Sequence, residues 1–181
     1  DEKSAVSALS TNSQDLSSFL RITEIMYAPL DGGAETHEFI ELKNTSSSVT
    51  LTLSGCYFSA GVDYTFPPGT TLAPNAFYVI AKDAAAFSGW YGFADNGVYS
   101  GSLARGERLR LKDAAEADIC DVTYDNAWYP TTDGVGYSLV IADVGVKQDK
   151  GAANQASAWR PSTNLRGSPK ADDPAPTYGN I

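Results

Sequence analysis

Three glutamates near the start of the predicted domain are the residues best suited to acid–base chemistry. Glu24 lies on one predicted strand, and Glu38 and Glu41 lie on the next. Two carboxyl groups on paired strands can act as general acid and general base, as they do in glycoside hydrolysis. The same side chains can instead accept hydrogen bonds from the backbone or from Arg21 and Lys43. We favour the structural role, because nothing in the sequence sets the separation of the carboxyl groups.

His37 is the only histidine, so a catalytic triad would need it as the base. The sequence contains no Gly-x-Ser-x-Gly nucleophile elbow. One histidine and two scattered cysteines also fall short of a recognisable zinc site. We therefore expect His37 to lie at the surface where a strand begins, and we expect a protein that is not an enzyme.

Cys56 and Cys120 are the only cysteines, and both fall on the apolar side of predicted strands. A disulfide between them would close a long loop and stabilise the fold by about 4 kcal/mol. Two buried free thiols are the alternative, because cysteine is among the residues most often buried. The sequence leaves both interpretations open.

Residues 87–99 form a segment that is rich in aromatic residues and glycine. Exposed aromatic side chains on the loops of a β-sandwich can stack against a glycan. The candidates for such a carbohydrate-binding platform are Trp90, Tyr91 and Tyr99. In the competing interpretation, which we favour, aromatic residues cover the open end of the core. Its members are Phe87, Trp90 and Phe93.

Acidic side chains supply the oxygen ligands that calcium prefers. The candidates are Asp31, Glu35, Asp118, Asp121, Asp172 and Asp173. None of them forms an EF-hand loop or another motif of fixed spacing. We interpret them as solvated loop charges, keep calcium as an alternative, and expect no other cofactor.

The charge balance argues against nucleic acid as a partner. The chain has 181 residues, and its 13 basic and 22 acidic residues give a net charge of −9. A field of this sign repels the phosphate backbone. No apolar run reaches the ~20 residues of a membrane span. We expect a monomer that binds a protein or surface ligand.

Short segments of alternating apolar and polar residues, separated by turns, predict β-strands from residue 19 to residue 170. The other predicted strands are arranged around residues 37–44. Residues 77–81 show no alternation with polar residues, which is typical of an interior strand. Seven to nine such strands and no long helix predict an all-β sandwich. Residues 1–18 are expected to form a flexible linker, and residues 171–181 a flexible tail.

Six segments, in this order along the chain, carry a resemblance to a known family. They are Leu20-Arg21-Ile22-Thr23-Glu24-Ile25-Met26-Tyr27, Glu38-Phe39-Ile40-Glu41-Leu42-Lys43-Asn44, Leu53-Ser54-Gly55, Phe66-Pro67-Pro68-Gly69-Thr70-Thr71-Leu72-Ala73-Pro74, Gly106-Glu107-Arg108-Leu109-Arg110-Leu111 and Gly136-Tyr137-Ser138-Leu139. Together they resemble a lamin-tail domain of the type found in exported bacterial proteins. Trp159 and Gly167-Ser168-Pro169 resemble the segment that closes such domains.

The resemblance implies an immunoglobulin-like β-sandwich with a non-catalytic role. In eukaryotic lamins the domain contacts protein partners and chromatin, and in bacteria it occurs in secreted or surface-attached proteins. We therefore expect a binding or scaffolding module. The polar opening residues favour an extracellular or cell-surface chain from which a signal peptide has been removed.

Overall fold

Alternating apolar residues form eleven strands in the computed structural model, which describes residues 15–176. The strands are β1 Leu20–Met26, β2 Phe39–Asn44, β3 Leu51–Thr52, β4 Tyr57–Ala60, β5 Thr71–Leu72, β6 Phe77–Ala81, β7 Gly97–Val98, β8 Gly106–Lys112, β9 Asp118–Asp125, β10 Leu139–Ile141 and β11 Trp159–Pro161. Besides residues 15–19, which are helical, the helical elements of the described chain are an α-helix, Ala84–Tyr91, and the 3₁₀ turns Pro130–Thr132 and Ala156–Ala158. Within residues 15–176, no helix is long and apolar enough to cross a membrane.

Two main sheets enclose the core. The larger has the strand order β11-β10-β1-β2-β6-β7, the smaller has the order β4-β8-β9, and β3 and β5 form a separate pair. Side chains from both main sheets meet in one apolar cluster that includes Ile22, Leu42, Leu109 and Val122. The predicted all-β, immunoglobulin-like sandwich is confirmed, and the predicted interior strand is β6, which lies between β2 and β7.

A β-bulge at Thr23 decides which way the glutamate of β1 points. Ile22 pairs with Leu42 and Glu24 pairs with Glu41, so Thr23 is the extra residue on β1. The bulge allows Ile22 and Ile25 to share the core face although they are three residues apart. Glu24 consequently lies on the outer face of the six-stranded sheet.

The outer face of this sheet carries a second, smaller apolar cluster. It consists of Met26, Phe39, Val79, Ala81 and Phe87. Phe87 comes from the helix, whose first turn is capped by the Asp83 carboxylate at 2.8 Å from the Ala86 nitrogen. The helix therefore covers the outer face of the sheet beside the glutamates, not the open end of the core.

Two edges of the sandwich, β9 and β11, are already occupied by other parts of the chain. On β9 the Asp121 nitrogen donates to the Gln148 carbonyl at 2.6 Å, and the Thr123 nitrogen donates to the Asn154 side chain at 2.7 Å. On β11, Pro161 has no N–H, and the Trp159 carbonyl accepts a hydrogen bond from the Tyr129 hydroxyl at 2.9 Å. These edges offer little to an additional strand.

The packed body is longer at both ends than the expected residues 19–170. Within the expected linker, residues 15–18 are helical and Leu16 is fully buried, while residues 1–14 lie outside the described part of the chain. Within the expected tail, the Asp173 side chain is only 1% exposed and pairs with Arg160 at 2.5 Å. Residues 177–181 also lie outside the described part.

Candidate functional site

Two glutamates, Glu24 and Glu41, stand opposite each other on the outer face of the sheet. They are direct cross-strand partners on β1 and β2, and each is 1% exposed. Side chains in such a pair have their Cβ atoms about 5 Å apart. Two acidic groups that would repel each other when ionised are thus held together away from water.

The hydrogen bonds of this pair come from the sheet and from residues 164–173, which we call the strap. Glu41 accepts from the Thr23 hydroxyl at 2.7 Å and from the Lys170 backbone nitrogen at 2.6 Å. Glu24 accepts from the Ser138 hydroxyl and from the Ser168 backbone nitrogen, the latter at 3.0 Å. Each carboxyl group therefore ties one backbone N–H of the strap to the sheet.

Burial makes ionisation of the pair unfavourable. Desolvation raises the pKa of Glu24 to about 7, although the hydrogen bonds from Ser138 and Ser168 act in the opposite direction. Desolvation and the neighbouring Glu24 charge raise the pKa of Glu41 well above its ordinary value. Among residues 15–176, neither glutamate forms an ion pair with a basic side chain. Near neutral pH the two carboxyl groups consequently retain a proton between them.

A cleft of about 320 Å³ opens beside the pair, between β10 and the strap. Its walls include Glu24 and Glu41 themselves, together with Arg160 and the strap residues Asp172 and Asp173. Asp172 is 73% exposed and pairs with Lys43 at 2.5 Å. Each glutamate is nevertheless only 1% exposed, so little of either carboxyl group is open to a substrate while the strap is closed.

At Gly167 the strap lies directly on the Glu24 carboxyl group. This glycine has φ +78°, and a Cβ added to it would overlap Oε1 of Glu24. Two separate reasons therefore require glycine at this position. One is the left-handed backbone conformation, and the other is the closeness of the Glu24 carboxyl oxygen.

A second surface feature is an apolar patch at one end of the sandwich, formed by Leu30, Val135 and Leu165. These side chains are 58%, 50% and 55% exposed, and they come from three separate loops. A Cβ on Gly136 would lie 2.9 Å from Leu165 and 3.3 Å from Leu30, so the chain fits beneath both leucines only as glycine. The patch adjoins the strap, because the Arg166 nitrogen donates to the Gly136 carbonyl at 2.6 Å.

Comparison with known families decides where the chain belongs. The family model of the Lamin Tail Domain matches residues 14–126, which is more than half of the chain. The chain belongs to the lamin tail domain family. No protein with a curated description matches it. Members of this family are immunoglobulin-like domains that generally serve in protein interaction and are generally non-catalytic.

The three glutamates singled out from the sequence of this lamin tail domain accept backbone hydrogen bonds, which is one of the two alternatives expected. Glu24 and Glu41 bind the strap, whereas Arg21 and Lys43 do not contact them by hydrogen bonds. Glu38 lies apart, where it accepts from the Tyr99 hydroxyl and the Leu103 nitrogen, both at 2.9 Å. All three carboxyl groups are part of the framework.

The calcium candidates are also engaged by other groups. Asp118 and Asp121 form bidentate pairs with Arg110 and Arg108 on β8, with distances of 2.6–2.8 Å. Asp31 accepts from the Glu35 and Thr36 nitrogens, each at 3.0 Å. Within residues 15–176, no three His, Cys, Asp or Glu side chains are grouped as a metal site. Calcium binding stays a prediction that these contacts do not favour.

The aromatic residues proposed as a glycan platform do not share one surface. Trp90 is stacked on the His37 ring, with centroids 3.6 Å apart, and the Arg166 guanidinium lies 4.3 Å from its centroid. Tyr91 donates to the Arg166 carbonyl at 2.7 Å, while Tyr99 is only 3% exposed. His37 is not a free surface side chain, since its Nδ1 lies 3.0 Å from Asp31. Glycan binding remains an untested prediction.

Both cysteines are free and buried, so the disulfide interpretation does not apply to this structure. Cys120 lies on β9 and Cys56 lies just before β4, with β8 between these two strands. Strands separated by one neighbour are about 9.5 Å apart, beyond the ~7 Å that a disulfide spans between Cα atoms.

Sequence reasoning missed the strap and the apolar patch. The strap is polar and aperiodic, and its contacts to Glu24 and Glu41 join residues more than 120 positions apart. The isolated leucines at positions 30 and 165 carry no periodic signal. The one available hint was Gly167, which lies in a segment quoted for the family resemblance.

Proposed function

We propose that this lamin tail domain is a non-catalytic module that binds a protein partner through the apolar patch of Leu30, Val135 and Leu165. The observation that carries the proposal is the exposure of three aliphatic side chains from three loops around one glycine. Scattered exposed apolar residues are ordinary, but here Leu30 and Leu165 come from separate loops and meet over Gly136, next to Val135 in sequence, and grouped apolar side chains are typical of interaction sites.

The protected strand edges support a side-chain interface over strand addition. Backbone groups on β9 and β11 already bind other parts of the chain, so a partner gains little from pairing with them. The patch instead offers aliphatic surface next to the Arg166 backbone. We therefore expect the partner to present an apolar side chain at the centre of the contact, with polar groups around it.

The resemblance to exported bacterial domains supports a secreted or cell-surface setting. We propose that the domain acts there in adhesion, scaffolding or the positioning of a neighbouring domain. Fractionation of the encoding organism, followed by immunodetection, tests the location. Recovery of the protein only with the cytoplasmic fraction would contradict it.

Site-specific photocrosslinking tests the patch. A benzophenone amino acid is placed at Leu165, or at Ser59 on β4 as an exposed control, and the chain is irradiated with surface extracts of the encoding organism. We expect a discrete, protease-sensitive adduct from position 165 that is absent from position 59 and is lost in Leu30→Lys. Equal adducts at both positions, no adduct, or an adduct unchanged by Leu30→Lys would overturn the proposal.

A further inference from the structure

The strap is held in a backbone conformation that it would not adopt by itself. Arg166 has φ +70° and Lys170 has φ +66°, which are left-handed conformations that cost about 1 kcal/mol or more in a residue with a side chain. Such residues persist where surrounding contacts fix them. The contacts that fix this segment therefore decide whether it stays on the sheet.

Two of those contacts lead to the buried pair. The Ser168 and Lys170 backbone nitrogens donate to Glu24 and Glu41 at 3.0 and 2.6 Å. Gly167, which immediately precedes Ser168, lies against the Glu24 carboxyl oxygen. The closed strap lies against both carboxyl groups, each of which is only 1% exposed, so opening of the strap would hydrate the pair.

Several charged or titratable side chains surround the pair. On the sheet and its loops these are Arg160, Lys43 and Asp143; on the helix, Tyr91; and on the strap, Lys170, Asp172 and Asp173. Lys43 and Arg160 are engaged by Asp172 and Asp173. The Lys170 amine points elsewhere and donates to the Ala94 carbonyl at 2.7 Å. No basic side chain is thus left to neutralise a second charge on the pair among the described residues.

We propose that Glu24 and Glu41 form a proton-dependent latch, which holds the strap closed while the pair is protonated and releases it when both carboxyl groups ionise. Ionisation strengthens each hydrogen bond from the strap, but it also requires two adjacent charges out of water. Desolvation is the dominant influence on both groups, so the cost of burial exceeds the gain from the hydrogen bonds. Opening relieves that cost by hydrating the pair.

The latch would regulate the apolar patch, a consequence that depends on the proposed function. Leu165 and Arg166 immediately precede Gly167 on the strap. Opening of the strap withdraws Leu165 from Leu30 and Arg166 from the Gly136 carbonyl. The patch is consequently assembled when the pair holds its proton and disassembled when the pair is fully ionised.

The direction of the pH effect follows from proton linkage. In the open state the hydrated carboxyl groups have ordinary pKa values near 4.3, while in the closed state the pKa of Glu24 is about 7. At pH values between these two pKa values, the closed state binds more protons than the open state. Both carboxyl groups release protons on opening, so the opening equilibrium should rise by at least about tenfold per pH unit over this range.

Hydrogen exchange of the free chain tests the latch at the Ser168 and Lys170 amides. Protection factors, which are corrected for intrinsic exchange, should fall by at least about tenfold per pH unit from pH 5 to pH 7. The Leu109 amide on β8 serves as an internal control that should not show this slope. In the double variant Glu24→Gln/Glu41→Gln, the strap amides should lose the pH dependence. A flat wild-type profile, or the same slope in the double variant, would overturn the latch.

Carboxyl ¹³C NMR of the wild type decides the matter if the double variant fails to fold. Two glutamate carboxyl resonances should titrate well above the others. Titration of every glutamate near its ordinary pKa would refute the latch. Both measurements use the chain without a partner, so their failure is distinct from failure of the crosslinking experiment on the patch.

Discussion

Glu24 and Glu41 are direct cross-strand partners, both are 1% exposed, and each accepts a backbone N–H from the strap. In most proteins, acidic groups so close together and so deeply buried either bind a cation or remain partly protonated. The raised pKa values of this pair indicate the second state. Stability should therefore depend on pH in a way that removal of one carboxyl group reduces.

The Glu41→Gln variant should gain stability over the wild type as pH rises. Below about pH 4.5 both carboxyl groups are protonated in the folded and unfolded states, so the stabilising effect of their raised pKa values is fully present. It is lost as pH rises through about 7, because the unfolded chain releases the protons first. We expect the difference in unfolding free energy, measured with urea, to shift by about 2 kcal/mol in favour of the variant between pH 5 and pH 8.

Glu116→Gln is the matched control for this change, because the Glu116 side chain is 68% exposed. Its stability relative to the wild type should stay within about 0.5 kcal/mol at both pH values. A pH-independent difference for Glu41→Gln would show that the pair does not retain a proton.

Substitution of Gly167 by alanine should destabilise the protein by about 3 kcal/mol. The new Cβ would overlap the Glu24 carboxyl oxygen, and the backbone of residue 167 has φ +78°, which disfavours alanine. Gly69→Ala is the control, since its φ is +82° but a Cβ there meets nothing within 4 Å. It should cost only about 1 kcal/mol, the penalty for the left-handed backbone alone. Equal losses in thermal or urea unfolding would mean that the strap does not press on Glu24.

The sandwich can be predicted from local patterns, because the alternation of apolar and polar residues along a single strand already shows which face of that strand is buried. Leu109 and Leu111 on β8, for example, are both buried, as their spacing indicates. The orientation of Glu24 could not be predicted in this way, because the bulge at Thr23 shifts the phase of β1 and depends on pairing with β2. The position of the strap could not be predicted from the sequence for a related reason. It depends on side chains distant in sequence and not on the composition of the strap itself.

Asn44, at the end of the segment 37–44, should be one of the most sensitive positions in the fold. Its side-chain nitrogen lies 2.7–3.1 Å from the carbonyl oxygens of Val49, Leu72 and Ala73, and the residue is fully buried. Asn44→Asp removes these donors and places a carboxylate against three carbonyls. We expect a loss of at least about 3 kcal/mol in urea unfolding.

Asn75→Asp makes the same chemical change at an exposed position and should leave stability within about 0.5 kcal/mol of the wild type. Equal effects at the two sites would contradict the view that the Asn44 amide holds the three loop carbonyls together.

The two cysteines should be unreactive in the folded protein although they are not bridged. Cys56 is 1% exposed and Cys120 is fully buried, and burial raises the pKa of each thiol to about 12. The thiolate is the reactive form, so at pH 8 both thiols are protonated as well as inaccessible. Iodoacetamide should leave the native mass unchanged and add two carbamidomethyl groups in guanidinium without a reductant. Alkylation that appears only after reduction would instead demonstrate a disulfide, and rapid labelling of the native chain would show that one of the strands around Cys56 or Cys120 opens readily.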